Sequence, residues 1–474
     1  MKNKSIWIDN SNITKEDIKR ENFNQIDTDV LIIGGGLTGL NTAYFLRNIN
    51  KKIVIIDKSK IGMGVSSKTT AKITYLQQDV YRKLTSLHNR EVAQKYYQSQ
   101  KDAIKLIKKI VKDNNIDCDL EKVDSVLFAM EEKNVSKLKK EEEILSSYGE
   151  KIEKYHDEFV KYGFLVGDTY VFNPLKYMKS LRDIISDKVD IYEDTMAFDI
   201  EYMNNKYVVH TDNGIINSST IVLACHYPFF VIPNLFPFKT YIEREYVNSI
   251  KVDTPKNKTL INIDDDLYSL RYYSDYLIFG SNSHRLTNKI DYFSNYQNSR
   301  DNFTRYFNKR PKYSWMNQDI ISNDLLPFIG KIKDNFYISS AYNTWGMTNS
   351  VIGARIVADL ILDRDNIYVD LFNPKRINFS LIINSLMGIF HYLKAYVEGV
   401  FHKSNPYYVK VDGIIYGVYI DKEGKRHKVK LICPHMKCPL VFNREENTWD
   451  CPCHGSRFDI DGNVIETPSV KKIS

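Results

Sequence analysis

The fold of this chain is decided by Asp29-Val-Leu-Ile-Ile-Gly-Gly-Gly-Leu-Thr-Gly39. Its unbroken aliphatic run predicts a buried parallel strand, and the residues after Gly39 have the apolar spacing of a helix. A second aliphatic run, Lys52-Ile-Val-Ile-Ile-Asp57, predicts the next strand and ends in an acid. This order of strand, glycine-rich turn, helix, strand and acid is typical of a dinucleotide-binding unit.

Each part of the motif has a physical task in such a unit. Gly34 allows the tight turn, Gly36 lets a pyrophosphate approach the backbone, and Gly39 lets helix and strand pack closely. The helix N-terminus offers N–H groups to the phosphates, and Asp57 accepts hydrogen bonds from ribose hydroxyls. The alternative is a glycine turn with a purely structural role. The predicted dinucleotide-binding residues of this unit are Gly34, Gly36, Leu37, Thr38, Gly39, Asp57 and Lys58.

The stretch after the acid indicates which dinucleotide binds. The sequence shows one Gly-x-Gly-x-x-Gly motif after a strand, whereas an enzyme using FAD together with NAD(P)H would normally show two. A run of small and hydroxyl-bearing residues follows, Ser66-Ser-Lys-Thr-Thr-Ala-Lys72. It resembles the FAD-dependent oxidoreductases of the D-amino-acid oxidase and glycine oxidase superfamily, and within them the branch with a C-terminal Rieske domain. The resemblance implies FAD as the cofactor and places four residues near the flavin, although each taken singly also fits an ordinary loop: Ser66, Ser67, Thr70 and Ala71.

A later loop is also predicted to face the flavin. Asn335 to Ser339 predicts a strand and Val351 to Leu362 a helix, so the loop between them ends at a helix N-terminus. Such an N-terminus stabilises negative charge on the N1–C2=O edge of reduced flavin. The chain departs from the family at Ala341, where a glycine is usual. By the resemblance, the flavin-facing residues of this loop are Trp345, Gly346, Met347 and Thr348.

The C-terminal region contains two short loops that each supply one cysteine and one histidine as potential metal ligands. They are residues 433–438 (Cys-Pro-His-Met-Lys-Cys) and 451–456 (Cys-Pro-Cys-His-Gly-Ser). Two thiolates on one iron and two imidazoles on the other form the ligand set of a Rieske [2Fe–2S] centre, and both loops resemble the Rieske family. A Cys/His zinc site is the alternative. The resemblance makes the ligands Cys433, His435, Cys451 and His454.

Cys438 and Cys453 are the remaining cysteines of these two loops. In many Rieske proteins the matching pair forms a disulfide that braces the cluster, so the resemblance implies a bond here. A stable disulfide is unusual in a cytosolic protein, and bridging requires Cα atoms roughly 4.4–6.8 Å apart. The sequence leaves the pairing open.

Length and composition favour a globular protein with two or three domains. A chain of 474 residues exceeds one ordinary core, and 26% charged with 43% apolar residues is typical of globular proteins. The formal charge of +7 is dispersed along the chain, which argues against nucleic-acid binding. Six cysteines, four of them in the two C-terminal loops, do not suit a disulfide-stapled secreted protein.

Neither a signal peptide nor a membrane span is predicted. Residues 1–10 contain no long apolar run, and no window has about 18 uninterrupted apolar residues. Phe379 to Val400 comes nearest, but polar residues interrupt it, so it predicts an amphipathic helix. We expect this helix to pack between domains in preference to a membrane surface, and we expect a cytoplasmic location.

The order of elements predicts an α/β + β architecture. An N-terminal Rossmann-like FAD-binding domain carries an inserted antiparallel-sheet substrate domain, and a small all-β Rieske domain ends the chain. One face of the inserted sheet should cover the flavin. The predicted boundaries are 1–27 for a leader anchored by Trp7, 28–90, 150–228 and 315–368 for the FAD-binding domain, 91–149 and 229–314 for the substrate or cap domain, 369–404 for a linker helix and 405–474 for the Rieske domain.

Four further side chains are weaker candidates. His226 follows a predicted strand near the cofactor, although a structural histidine fits better. Arg271, His284 and Arg285 lie in the strand-rich region and could meet a substrate carboxylate, because a guanidinium matches carboxylate geometry. Surface salt bridges are an equal alternative. No residue stands out as a catalytic base.

The two motifs together predict a flavoprotein that also carries a Rieske cluster. We expect a small organic substrate, an amine or amino acid by resemblance, to reduce FAD, and FAD to reduce the cluster, since histidine ligation makes it a relatively good acceptor. An external electron acceptor would complete the path. Two alternatives remain: electrons enter from a partner through the cluster and the flavin reduces a substrate, or the protein is a redox sensor without catalysis.

Overall fold

The computed structural model describes residues 4–10, 23–229, 236–286, 291–401 and 408–474. Parts of the predicted leader, residues 1–3 and 11–22, lie outside the described residues, as do residues 402–407 at the predicted start of the Rieske domain. Within the described leader, Trp7 is fully buried and its indole Nε1 donates to the carbonyl of Thr69 over 2.7 Å. The predicted anchor therefore holds the loop that was assigned to the flavin.

The first sheet is built around Gln25–Ile33 (β1), the strand that opens the glycine-rich motif. It pairs in parallel with Ile53–Ile56 (β2) on one side and Gly214–Leu223 (β10) on the other. All four residues of β2 are buried, because a parallel sheet is covered on both faces, which explains its unbroken aliphatic sequence. The other strands of this sheet are Val189–Tyr192 (β7), Ala197–Met203 (β8), Lys206–Thr211 (β9), Phe328–Lys333 (β16) and Phe336–Ser340 (β17).

The second sheet is mainly antiparallel, in the order β15-β11-β14-β13-β12-β4-β6-β3, with β5 beside β6. Its strands are Lys72–Ile73 (β3), Glu121–Ala129 (β4), Ile152–Lys154 (β5), Tyr162–Val171 (β6), Thr240–Lys251 (β11), Lys258–Asn262 (β12), Tyr268–Tyr273 (β13), Tyr276–Arg285 (β14) and Tyr313–Ser322 (β15). This sheet confirms the predicted α/β architecture with a second, largely antiparallel sheet.

The two faces of the second sheet have different neighbours, because successive strand residues point to opposite sides. On one face, the indole Nε1 of Trp315 donates to the carbonyl of Lys68, in the loop that follows β2, over 2.8 Å. On the other, Asn248 of β11 donates from its amide to the hydroxyl of Ser299 over 2.8 Å. The first face therefore looks toward the glycine-rich unit.

The helices flank the two sheets. Pro174 occupies the first turn of its helix and Asn173 caps it, accepting hydrogen bonds from Leu175 N and Lys176 N. The helices are Ile6–Asn10 (α1), Leu37–Leu46 (α2), Val80–Leu87 (α3), Arg90–Asp113 (α4), Glu132–Ser147 (α5), Pro174–Ile185 (α6), Phe236–Lys239 (α7), Tyr292–Phe307 (α8), Gly346–Ile361 (α9), Val369–Phe372 (α10) and Phe379–Phe401 (α11).

Helix α11 differs from the expectation that its apolar face packs between domains. Its polar and small side meets the protein: Asn384 donates from Nδ2 to the carbonyl of Asn323 over 2.8 Å. Large apolar side chains on the opposite side are exposed, among them Leu386 at 62% and Leu393 at 54%. In the described ranges, no helix is both long and apolar enough to pass through a bilayer.

The C-terminal region is a small all-β domain, as predicted. Its core centres on Trp449, which is fully buried and packs against Phe442 with ring centroids 4.6 Å apart. Its strands form two small antiparallel sheets. They are Tyr408–Val411 (β18), Ile414–Ile420 (β19) and Arg426–Lys430 (β20) in one sheet, and Val441–Asn443 (β21), Thr448–Asp450 (β22), Arg457–Phe458 (β23) and Val464–Glu466 (β24) in the other.

A buried ionic network joins this domain to the second sheet. Arg244 of β11 is fully buried and donates from Nη1 to Oδ2 of Asp450 over 2.8 Å. Its Nε donates to Oε1 of Gln318 (3.0 Å), whose Nε2 donates to the carbonyl of Gly455 (2.9 Å). Arg457 donates to the other oxygen of Asp450 over 3.2 Å. Since buried charges are costly without partners, this network fixes the position of the C-terminal domain.

Candidate functional site

The glycine-rich turn lies at the carboxyl end of β1 and leads directly into α2. Gly34 has φ +116°, and a Cβ there would lie 2.7 Å from the backbone of Ala224. A Cβ at Gly39 would lie 1.8 Å from the carbonyl oxygen of Gly34. Both positions therefore require glycine, in keeping with the tight turn and close helix packing expected from the sequence.

Replacing Gly39 with alanine is expected to remove FAD from the purified protein almost completely. The new methyl group would push α2 away from the turn, and overpacking of this kind costs about 1–3 kcal/mol. The ratio of flavin to protein absorbance after purification measures the effect. Gly167→Ala on β6 is the matched control, since a Cβ there meets only one atom, 4.0 Å away. Full flavin content in Gly39→Ala would contradict the expectation.

A cavity of about 410 Å³ lies at the glycine-rich turn. Its wall also includes the segment after β2, the loop before α9, part of β15 and a strand of the C-terminal domain. A cavity with a helix N-terminus at one wall suits the pyrophosphate of a dinucleotide. The predicted FAD-binding residues that line the cavity are Gly34, Gly36, Leu37, Thr38, Asp57, Lys58, Ser66, Gly346 and Met347.

The remaining predicted FAD-binding residues do not line the cavity. Ser67 is buried and its hydroxyl donates to the carbonyl of Gly64 over 2.8 Å. The hydroxyl of Thr348 accepts a 3.3 Å hydrogen bond from Gln77. Trp345 occupies the N-cap position of α9. Those outside the cavity lining are Gly39, Ser67, Thr70, Ala71, Trp345 and Thr348.

Asp57 stands at the end of β2, where a ribose-binding acid is expected. Its Oδ2 accepts from Gly35 N over 2.7 Å, and its Oδ1 accepts from Ser59 N over 2.9 Å. Burial raises the pKa of Asp57, opposed by these backbone hydrogen bonds. The backbone thus fixes the orientation of the carboxylate at the cavity wall.

Ala341, which stands where the family usually has glycine, lies in the loop before α9. This residue has φ +59°, a left-handed conformation that glycine adopts most easily. The helix begins at Gly346, earlier than the predicted Val351, so its first N–H groups lie at the cavity. The loop therefore keeps its geometry at a conformational cost of about 1–2 kcal/mol for the alanine.

The two Cys/His loops of the C-terminal domain meet at one point. Cys433 and Cys451 are buried, and their thiols lie within hydrogen-bonding reach of each other. The rings of His435 and His454 lie beside each other, with centroids 5.1 Å apart. The two loops thus bring together one pair of thiols and one pair of imidazoles, which are the two kinds of ligand in a Rieske set.

The question of Cys438 and Cys453 is answered by a disulfide between them, with Cα atoms 6.5 Å apart. The sulfurs of Cys438, Cys451 and Cys453 lie within 4.8 Å of one another. A disulfide sulfur cannot act as a thiolate ligand, so of these three only Cys451 is available. The disulfide ties one ligand loop to the other.

The histidines are suited to metal binding in their protonation state. Burial lowers the pKa of His435 to about 4 and that of His454 to about 3, so both rings are neutral near pH 7. Among the described residues, neither ring nitrogen of His435 has a hydrogen-bond partner although both are buried. Buried polar atoms are rarely left unsatisfied, and coordination to iron would satisfy one of these two nitrogens.

Tyr227 lies between the cavity and the two histidines. Its ring centroid is 6.3 Å from that of His435 and 6.2 Å from that of His454. The residues immediately before it, 224–226, line the cavity, and residues 464–467 of the C-terminal domain line the same cavity from the other side. The two candidate cofactor sites therefore share a wall.

Glu466 is a part of this wall that the sequence did not reveal. It pairs with Lys68 and, over 3.1 Å, with Arg457. Although burial alone would raise the pKa of Glu466, these two cations hold it well below its usual range. Lys58 also donates from Nζ to the carbonyl of Ile465. These contacts connect residues from opposite ends of the chain, which no local motif can signal.

Of the four weaker candidates predicted from the sequence, one lines the cavity and three do not. Arg271 donates from Nη1 to the carbonyls of Ala71 (2.6 Å) and Phe172 (3.2 Å), so it stabilises the loop beside the cavity. His284 stacks on Tyr246 and Arg285 lies over Tyr241, and neither lines the cavity. His226 lines it, and burial lowers the pKa of its ring to about 4.

Sequence reasoning also missed polar residues on the second sheet. Asn317 and Asp319 of β15 line the cavity. The available signal was their alternation: polar residues two apart in a strand share one face.

Comparisons with known proteins agree with this geometry. Residues 29–360 match the family model described as FAD dependent oxidoreductase, and residues 392–474 match the Rieske [2Fe-2S] domain. The chain is 30% identical over 477 residues to YhfW of Bacillus subtilis (strain 168), which is named as a Rieske 2Fe-2S iron-sulfur protein. The match covers 94% of this chain and 93% of that protein.

More distant relatives match the FAD-dependent oxidoreductase part of the chain. Gamma-glutamylputrescine oxidoreductase of Escherichia coli (strain K12) is 20% identical over 71% of this chain and 84% of its own length. The crystal structure of glycine oxidase from Geobacillus kaustophilus superposes with a TM-score of 0.63 at 15% identity, covering 74% of this chain and all of that one. At this identity the superposition shows the shared fold.

Proposed function

The chain belongs to the FAD-dependent oxidoreductase family and ends in a Rieske [2Fe-2S] domain, and from this premise we propose that it oxidises a small amine or amino acid and passes the electrons internally from FAD to the cluster. FAD and the [2Fe-2S] cluster are its cofactors. An external electron acceptor then receives the electrons from the cluster.

The donor sets described above fit both groups. We assign the cluster to Cys433, His435, Cys451 and His454, and the FAD to the glycine-rich turn, Asp57 and the N-terminus of α9. When bound, FAD takes two electrons as a hydride from the substrate, and the cluster carries electrons one at a time.

The observation that carries the proposal is the shared wall. The two imidazoles lie beside Tyr227, and the residues just before Tyr227 line the FAD cavity. The chain positions them there through the ionic network of Arg244, Asp450 and Arg457 and through the pairing of Lys68 with Glu466. A fixed and short separation between the two sites supports electron transfer within one molecule.

The chain's own side chains also close the path to water. Tyr227 is 2% exposed and His454 is 4% exposed, and the ligand cysteines are buried. The low exposure of these residues shields the cluster site from solvent oxidants. The direction from flavin to cluster is supported by the histidine ligation, which raises the potential of the cluster.

Selective reduction of the flavin tests the proposed relay without knowledge of the substrate. Holoprotein is illuminated anaerobically with EDTA, so that light reduces the flavin first, and the cluster is followed by EPR. We expect the signal of a reduced, nitrogen-ligated [2Fe–2S] cluster to grow after the flavin absorbance falls. A cluster that stays oxidised while the flavin is fully reduced would contradict the proposal and favour electron entry from a partner.

A further inference from the structure

The part of the cavity wall formed by the second sheet is rich in hydrogen-bond acceptors. Asn317 and Asp319 line the cavity, and their Cα partners on β11 are Glu245 and Glu243. Directly paired residues of neighbouring strands share one face of a sheet. Three carboxylates and one amide therefore lie together on the face that looks toward the glycine-rich unit.

The side chain of Asn317 has a buried hydrogen-bond acceptor that is not satisfied. The residue is only 6% exposed, and its Nδ2 donates to Oδ2 of Asp319 over 2.8 Å. Within the described part of the chain, its Oδ1 is buried and has no hydrogen-bond partner. An unsatisfied buried acceptor is costly, and this one lies at a cavity. It calls for a ligand that donates hydrogen bonds.

The lack of a side chain at Gly280 leaves room for the carboxylate of Glu245 beside Asn317. A Cβ on Gly280 of the neighbouring strand would lie 2.2 Å from Oε1 of Glu245, so the carboxylate occupies the space that a side chain would fill. Ser283 donates to Oε1 of Glu243 over 2.5 Å. Both acids are half-buried and neither lines the cavity, so they act on a ligand there through their charge, which little water screens.

The acids of this face are only partly ionised near pH 7 when no cation is bound. The charge of Lys72 acts on Glu245 and lowers its pKa, while the Nζ of Lys72 donates to the hydroxyls of Thr70 and Ser269, each over 3.0 Å. Burial raises the pKa of Asp319 to about 8, and the charges of Glu245 and Glu243 add to the rise. Burial also raises the pKa of Glu245 to about 7; Lys72 opposes this rise and Glu243 adds to it. A cation bound at this face would lower both pKa values and so favour the ionised carboxylates.

The arginines of β11 and β14 do not offset this charge in the cavity. The guanidinium of Arg244 leaves by the opposite face of the sheet to pair with Asp450. Arg285, the Cα partner of Glu243 on β14, lies over the ring of Tyr241, 4.4 Å from its centroid, and is absent from the cavity lining. A substrate carboxylate would therefore meet acids here, whereas a cation would relieve their repulsion.

We propose that this face binds the ammonium group of a protonated alkylamine, with Asp319 and Asn317 as direct acceptors and Glu245 as the nearby counter-charge. An amine without a carboxylate beside its nitrogen is then the substrate class. The inference rests on the proposed function, since it assigns the substrate end of the same cavity, but binding and electron transfer can fail separately.

A pair of non-oxidisable probes of the same shape tests the assignment on the FAD-loaded full chain. In tert-butylammonium and pivalate, a quaternary carbon carries either a cation or an anion, and tert-butylammonium has no C–H bond beside its nitrogen. Binding is read from the change in the flavin absorbance spectrum during titration. We expect tert-butylammonium to bind at least tenfold more tightly than pivalate. Equal binding, tighter binding of pivalate, or no change with either probe would overturn the proposal.

Variants then locate the site. Asp319→Asn is expected to weaken tert-butylammonium binding at least tenfold without loss of FAD, and Glu245→Gln to weaken it less. Glu153→Gln, an exposed acid on β5 of the same sheet, is the matched control and should change nothing. Unchanged affinity in both Asp319→Asn and Glu245→Gln would overturn the assignment. Photoreduction of the cluster in the same samples reports the relay separately, because it requires no substrate.

Discussion

Replacing Cys451 with serine is expected to abolish the [2Fe-2S] cluster while FAD remains bound. A serine hydroxyl is a poor substitute for a thiolate, which is the ligand that iron–sulfur clusters use. Cys451 is 1% exposed beside Cys433, so no solvent ligand can enter in its place. Iron and acid-labile sulfide should fall to background, and photoreduction of the flavin should produce no cluster signal in EPR.

The same variant should also weaken the C-terminal domain. A domain of this size has a small core, and metal binding contributes to the folding free energy of such domains. Limited proteolysis is expected to degrade the C-terminal domain faster than in the parent protein. Cys118→Ser makes the same atomic change at a buried thiol elsewhere and should retain iron, sulfide and flavin. Retention of a full cluster in Cys451→Ser would contradict the ligand assignment.

The glycine-rich unit and the cluster loops were predictable because their chemistry is local. A turn with φ +116° at Gly34 requires glycine whatever surrounds it, and cluster ligands must be thiols and imidazoles on short loops. Both signals therefore survive in the sequence without knowledge of the tertiary structure. The sequence predicted that α9 begins at Val351, later than its observed start at Gly346. Its first turn contains few apolar residues, so no helical period is visible there.

The position of the C-terminal domain against the rest of the chain was not predictable, because it depends on contacts between residues far apart in the sequence. Glu466 reaches Lys68, and Arg244 reaches Asp450, across several hundred residues of sequence. Arg271 was expected near a substrate carboxylate, but an arginine that donates to backbone carbonyls has the same sequence signature as one that binds a ligand. Helix α11 showed its amphipathic period clearly, but a period gives no information on which side faces the protein.

Asp450→Asn is expected to destabilise the C-terminal domain strongly, because it disrupts the buried ionic network of Arg244, Asp450 and Arg457. Asp450 is fully buried and accepts from both Arg244 and Arg457, which are themselves 0% and 3% exposed. The amide keeps the shape but leaves two buried cations without their shared carboxylate. Loss of one member of a buried pair costs about 3–5 kcal/mol, so the C-terminal domain should separate from the second sheet or unfold at lower temperature.

Separation should appear in electron transfer before it appears in cofactor content. FAD is expected to remain bound in Asp450→Asn, whereas cluster reduction after flavin photoreduction should slow by orders of magnitude relative to the parent. The matched control is Glu445→Gln at the same interface, where Arg300 and Glu445 pair over 3.0 Å and keep 13% and 15% of their side chains exposed. Because water reaches this pair, its loss should cost clearly less.

A compensating change separates charge from shape. Adding Arg244→Met to Asp450→Asn replaces the cation that has lost its carboxylate with an apolar side chain of similar length, whereas Arg457 keeps its pairs with Glu446 and Glu466. Since an uncompensated buried charge is the main cost, the double variant should be more stable than Asp450→Asn alone and should recover part of the electron-transfer rate. Additive losses in the double variant would instead mean that the two residues act independently, and the network would not be what holds the cluster against the flavin cavity.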